Sequence, residues 1–255
     1  MNSNSSSNKN NGGHIAFRSG NPALSSKTFE NIERTSDNAM TVDGTVNKVA
    51  ISLALLLVSG YFTYTRQLLP LAFVGAIGGL IVAIVTIFKK QWSPITVPIY
   101  SLLQGLFLGG ISYVFNQMYD GIVLQAVLLT GAILFSLLFA YKSGLIKATE
   151  NFKLGVAAAT GGIFIVYMIS FVMSFFGSGL PILDINNSSL MSIGFSLFVV
   201  VIASLNLVLD FDFIEQGAEM GAPKYMEWYG AFGLLVTLIW LYIEILRLLA
   251  KLRGR

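Results

Sequence analysis

Residues 205–249 read LNLVLDFDFIEQGAEMGAPKYMEWYGAFGLLVTLIWLYIEILRLL. Two apolar runs flank a short polar turn, and both runs carry carboxylates. Asp210 and Asp212 close the first run, and Glu244 sits well inside the second. A carboxylate on a helix in hydrocarbon costs about 2.5–3.5 kcal/mol even on the lenient insertion scale. Such a group marks function by default, and a partner is sought for it. Asp210, with Asp212 close behind, is the expected partner of Glu244.

The chain around this stretch has 255 residues, 55% hydrophobic and only 11% charged. Soluble domains are about 25% charged. The composition is that of an all-α, polytopic membrane protein whose first partner is the lipid bilayer. There is no cysteine, which excludes disulfides, thiolate metal sites and a cysteine nucleophile. The one histidine, His14, lies in the polar N-terminal segment, so one chain cannot build a multi-histidine zinc or bis-histidine haem site. No basic stripe with interleaved aromatics points to nucleic acid.

After Met1, residues 2–13 are Ser, Asn, Gly and Lys, and the 1–13 segment is expected to be disordered. Residues 14–45 form a polar segment with scattered apolar positions. Ser25 or Ser26 could cap a short helix through Met40, with Phe29 and Ile32 on its apolar side. An ordered linker is the alternative.

Seven apolar runs follow, and a span needs about 20 residues. They cover roughly 46–64, 68–88, 95–116, 121–141, 154–176, 189–211 and 228–249, within a membrane domain of 46–252 and before a basic tail of 253–255. Gly75 and Gly79, and Gly105 and Gly109, stand at helical spacing. Gly155 and the Gly161–Gly162 pair thin the start of span five. Close helix–helix approach is the usual reason for such glycines.

Basic residues set the orientation. Lys89, Lys90, Lys142, Lys147 and Lys153 follow spans two and four, whereas only Arg66 follows spans one, three and five. Lys9, Arg18, Lys27, Arg34 and Lys48 precede or open span one. The positive-inside rule therefore puts the N terminus in the cytoplasm. Arg247, Lys251, Arg253 and Arg255 disagree, because seven crossings leave them outside. The run from Trp228 to Leu249 is nonetheless long enough to cross.

Asn206 and Asp210 are four residues apart, on one helical face. Asp212 points about 200° away from Asp210 on a regular helix. Asp212, Glu215 and Glu219 share another face, and Glu215 and Glu219 suit a solvated helix end. Glu244 has two readings. One is an i, i+3 ion pair with Arg247, which would snorkel outward. The other is a carboxyl dyad with Asp210 or Asp212, bridged when it shares a proton and repelling when both groups ionise. Ionised carboxylates also suit hard cations such as Ca2+, so Asp210, Asp212 and Glu244 are candidate ligands. Gln104 in span three is either interhelical glue or pore lining.

Several stretches together resemble the transmembrane Bax inhibitor family, in its bacterial YccA-like branch. LVLDFDFIE at Leu207–Glu215 and LYIEI at Leu241–Ile245 are similar to its last two spans. AVLLTGAILF, Ala126–Phe135, looks like its fourth span, and QGLFLGG, Gln104–Gly110, like its Gly-rich third. SGNPALSSKTFE, Ser19–Glu30, resembles the leader of one bacterial subgroup. The resemblance implies seven spans with the last helix central, and a multi-pass protein of the bacterial cytoplasmic (inner) membrane. It implies a pH-sensitive Ca2+ leak gated by a carboxyl dyad between spans six and seven, with Asp210 and Glu244 in those positions. Asn206, Arg247, Glu215, Glu219 and Gln104 would support the path. Ca2+ and protons would be cargo, with no resident cofactor and no enzymatic activity. Some relatives are viewed instead as non-transporting regulators that bind membrane partners such as a quality-control protease. Three features depart from the pattern: Glu rather than Asp at 244, a second aspartate at 212, and a long connection between the last two spans.

A retinal protein needs a lysine within its last span, and Lys251 lies at the very end. LDFD lacks the signatures of an intramembrane aspartyl protease, and no span carries the histidine of a rhomboid.

Overall fold

The structure, a computed structural model, describes residues 39–254. Its helices are α1 (Val42–Arg66), α2 (Leu69–Phe88), α3 (Ser93–Met118), α4 (Ile122–Lys142), α5 (Glu150–Ser174), α6 (Leu190–Glu219) and α7 (Met226–Arg253). All seven are long and apolar enough to cross a membrane. The segment expected to be disordered, and nearly all of the possible helix before span one, lie outside the described residues. At the end of that possible helix the chain is extended instead. Ala39 bridges Pro223 antiparallel, and Met40 N–H donates to Ala222 O at 2.6 Å.

Local chemistry sets the helix starts. Thr41, Thr149 and Ser189 cap α1, α5 and α6, each accepting a backbone N–H three residues on. Pro70 and Pro94 stand in the first turns of α2 and α3, where their missing N–H costs nothing. Gln67 ends α1 in the left-handed region, at φ 57°.

α7 is the centre of the bundle. It packs against α1, α3, α4 and α6, and most of its length is buried. Tyr242 reaches across to α3, its hydroxyl 2.6 Å from that of Ser112. The outer helices turn bulky apolar side chains outward: Phe73, Ile77 and Phe88 on α2, Phe135 and Phe139 on α4, Phe164 and Phe171 on α5. Exposed apolar surface on this scale is what lipid tails cover.

The two GxxxG pairs explain the tight contacts of α3. A Cβ on Gly105 would lie 1.9 Å from Ser59 Oγ, and one on Gly109 would lie 2.3 Å from Gly60 O. A Cβ on Gly75 would meet Leu103 O at 2.4 Å. These helices approach backbone to backbone because there is no side chain between them. The span-five glycines are a correction. Gly155, Gly161 and Gly162 have nothing within 4 Å of a built Cβ, because α5 packs chiefly on α6 and turns these positions away from it.

The other correction concerns α6. It does not end near residue 211 but runs to Glu219, 30 residues in all. At about 1.5 Å per residue it is roughly 45 Å long, well beyond a hydrocarbon core of about 30 Å. The acidic turn therefore belongs to the helix. The α6–α7 connection is short, with Gly221 at φ 66°, and α7 begins at Met226. The N-terminal end of α1 and the α6–α7 turn lie together, and α7 ends at the opposite end of the bundle.

Candidate functional site

Asp210 is fully buried between α6 and α7. Thr237 of α7 stands beside its carboxyl, but neither oxygen has a partner in hydrogen-bond geometry. One turn earlier, Asn206 donates to Thr160 Oγ1 on α5 at 2.8 Å and to Ile202 O at 2.9 Å. Its own Oδ1 is buried without a partner. Two acceptor groups on one face of α6 thus stand ready for a donor or a cation.

Asp212 points elsewhere, as its angle requires. It meets Lys153 of α5 at 2.7 Å and accepts from Gln216 at 2.6 Å. Glu215 is exposed and accepts a short hydrogen bond from the Tyr141 hydroxyl of α4, and Glu219 is exposed at the helix end. Gln104 is half-buried and packs over Gly79 on α2, away from α6.

Glu244 is 2% exposed, and Arg247 binds it at 3.2 Å. The guanidinium lies over the Tyr167 ring of α5, 5.6 Å from its centroid, and Tyr167 and Trp240 also border the carboxyl. The i, i+3 pair is therefore made, but it is turned inward against α5.

The bridge expected between Asp210 and Glu244 is not made. Asp210 stands level with Thr237, seven residues before Glu244 on α7. That spacing is about 10 Å along the helix. The three-carboxylate Ca2+ set is not assembled either, and among the described residues no three acidic or histidine side chains gather as a metal site. The reason is register and angle: Asp212 faces α5, and Glu244 lies two turns deeper.

Several polar residues escaped the sequence. Lys153 had been counted as a connection cation, yet it is buried on Asp212. Glu227 is buried at the start of α7, where it accepts from Thr41 N–H and hydroxyl and pairs with Lys224 at 2.9 Å. Lys251 is buried as well, and Arg253 donates to Asp120 O and Gln125. Arg247, Lys251 and Arg253 are thus held by the bundle, and Arg255 lies outside the described residues.

The profile of the family described as Bax inhibitor 1 like matches residues 21–254. The chain belongs to that family. No curated protein and no solved structure matches the chain. In this Bax inhibitor 1 like protein, polar groups of α5, α6 and α7 recur along the interface of these helices. Asp210 lies near one end, Asn206 and Thr160 follow, and Glu244, Arg247 and Tyr167 come next.

Proposed function

We propose that this protein is a pH-responsive cation leak, with Ca2+ as the cargo. Asp210 and Glu244 are successive acidic stations along the α5–α6–α7 interface. The observation that carries this reading is Asp210 itself, fully buried with both oxygens unpartnered in the bundle core. An isolated carboxylate in a dry site is strongly disfavoured, so the packed arrangement suits the neutral acid. Ionisation calls for water or a cation beside it, and hard cations take carboxylate, hydroxyl and carbonyl oxygens. Thr237 and the free Asn206 Oδ1 are such neighbours. Family membership supports the reading at the level of the fold.

The basic connections after α2 and α4 support a cytoplasmic N terminus, and the resemblance to the bacterial branch supports the inner membrane. The test is Ca2+ influx into liposomes holding only this protein, measured against pH for the parent and for Asp210→Asn. A pH-dependent influx that Asp210→Asn abolishes supports the leak. No influx at any pH would favour a regulator that acts by binding other membrane proteins.

A further inference from the structure

The end of this row of polar groups is closed by a lysine. Lys251 Nζ lies 2.8 Å from Ile182 O, 2.9 Å from Ser196 Oγ and 3.4 Å from Ser192 O. Three acceptors match the three N–H donors of an ammonium. Lys251 is 1% exposed, and among the described residues no carboxylate lies in ion-pair contact with it, Glu244 and Asp184 acting on it from farther off. A lysine one turn from a helix end has the reach to snorkel outward. This one turns inward, against the cost of burying a charge.

Its place continues the row. Fourteen residues separate Ser196 from Asp210 on α6, and fourteen separate Thr237 from Lys251 on α7. The two helices thus run antiparallel in one register from Asp210 to Lys251. On α6, Ser192, Ser196, Asn206 and Asp210 fall within about 40° of one direction. Between Ser196 and Asn206, Val199 and Ala203 share that face, and α7 brings Glu244 to the level of Ala203. Ile182 lies in the α5–α6 connection, so Lys251 stands where the row reaches the bundle's end.

The acceptors are two backbone carbonyls and a hydroxyl. The same oxygen set suits a hard cation. We propose that Lys251 is a tethered cation plugging the exit of the leak, its ammonium occupying the oxygen cage that a permeating cation would use. This rests on the cation-leak reading above. Lys251 then sets the basal leak, because it fills the exit with fixed charge and repels an approaching cation.

The test is Ca2+ influx into dye-loaded liposomes with the parent, Lys251→Ala and Lys251→Met, each checked for folding by its thermal transition. Lys251→Met keeps the length of the stem and guards against a loss of packing. Both variants leak about tenfold faster than the parent, since one unit charge a few ångströms away shifts a barrier by at least that much. Millimolar n-propylammonium, which restores a stem and three N–H donors, returns Lys251→Ala toward the parent rate. Tetramethylammonium, with no N–H, does not. A leaking parent with unchanged variants overturns the plug while leaving the leak intact. Equal effects of the two amines also overturn it. No influx in the parent or in either variant sinks the leak reading and the plug together.

Discussion

Lys153 Nζ lies 2.7 Å from Asp212 Oδ2, and this ion pair fastens α5 to α6. The lysine side chain is 5% exposed and the aspartate 20%. Among the described residues, α5 is also held by the Asn206–Thr160 hydrogen bond, the stacking of Arg247 on Tyr167 and the packing of Ile163 with Val199 and Ile202. Asp212→Asn leaves a buried ammonium with Glu150 at 3.8 Å as its remaining acidic neighbour. Breaking a buried pair costs about 3–5 kcal/mol, and the partial exposure of Asp212 favours the low end. Thermal unfolding in detergent should show a clear loss for Asp212→Asn and almost none for the exposed Glu219→Gln. Equal midpoints would mean that the pair contributes nothing.

The glycines give a prediction of opposite signs. Gly105→Ala puts a Cβ 1.9 Å from Ser59 Oγ and 2.3 Å from Leu56 O, against backbone that cannot yield easily. Overpacking of this kind costs about 1–3 kcal/mol or more. Gly161→Ala meets open space inside a helix, where alanine is favoured by about 0.5–1 kcal/mol. The first variant should unfold at lower temperature than the parent and the second at slightly higher. A stable Gly105→Ala would show that α1 and α3 can part without loss.

Glu227 ties the start of α1 to the α6–α7 turn. Its Oε1 accepts from Thr41 N–H at 3.1 Å and from the Thr41 hydroxyl at 2.9 Å. Hydrogen bonds to a charged group contribute about 1.5–3 kcal/mol. Glu227→Ala should therefore raise amide hydrogen exchange at Thr41 by about tenfold or more. Gly44→Ala should do the same, because its Cβ would fall 1.9 Å from that oxygen and displace it. Unchanged exchange in both variants would show that the backbone pairing of Met40 with Ala222 suffices.

Seven helices were legible because apolar runs of span length admit little else, whereas the central place of α7 came only with the family resemblance. The depth of Asp210 was legible too, since no charged residue stands between Asp184 and Asp210. Its separation from Asp212 followed from helical angle alone. The end of α6 was misplaced because Asp212 and Glu215 look like solvent-facing residues. Their partners, Lys153 and Tyr141, lie on other helices and carry no local signal. The missing Asp210–Glu244 bridge turned on register, which the length of the α6–α7 turn decides. Lys251 was illegible for a further reason: two of its acceptors are backbone carbonyls, and any residue supplies one.

The last prediction separates the two aspartates by function. Asp210 is buried with neither oxygen in hydrogen-bond geometry and only Thr237 beside it, so the packed bundle suits its protonated form. A hydrated, conducting arrangement suits the carboxylate. The packed state then holds one more proton than the conducting state, and raising pH favours conduction by linkage. Ca2+ influx should rise with pH in the parent, from mildly acidic to mildly alkaline buffer. Asp210→Asn cannot ionise and should hold influx flat, near the acidic level. Glu244→Gln should flatten the profile as well, because it removes the second acidic station and weakens the hold of Arg247. Asp212→Asn should keep the parent's profile even where it lowers stability, since its carboxylate faces Lys153 on α5 rather than α7. Initial rates in liposomes, normalised to folded protein, decide the matter. A flat profile for Asp212→Asn beside a parent-like profile for Asp210→Asn would move the proton-sensing role to the α5–α6 ion pair.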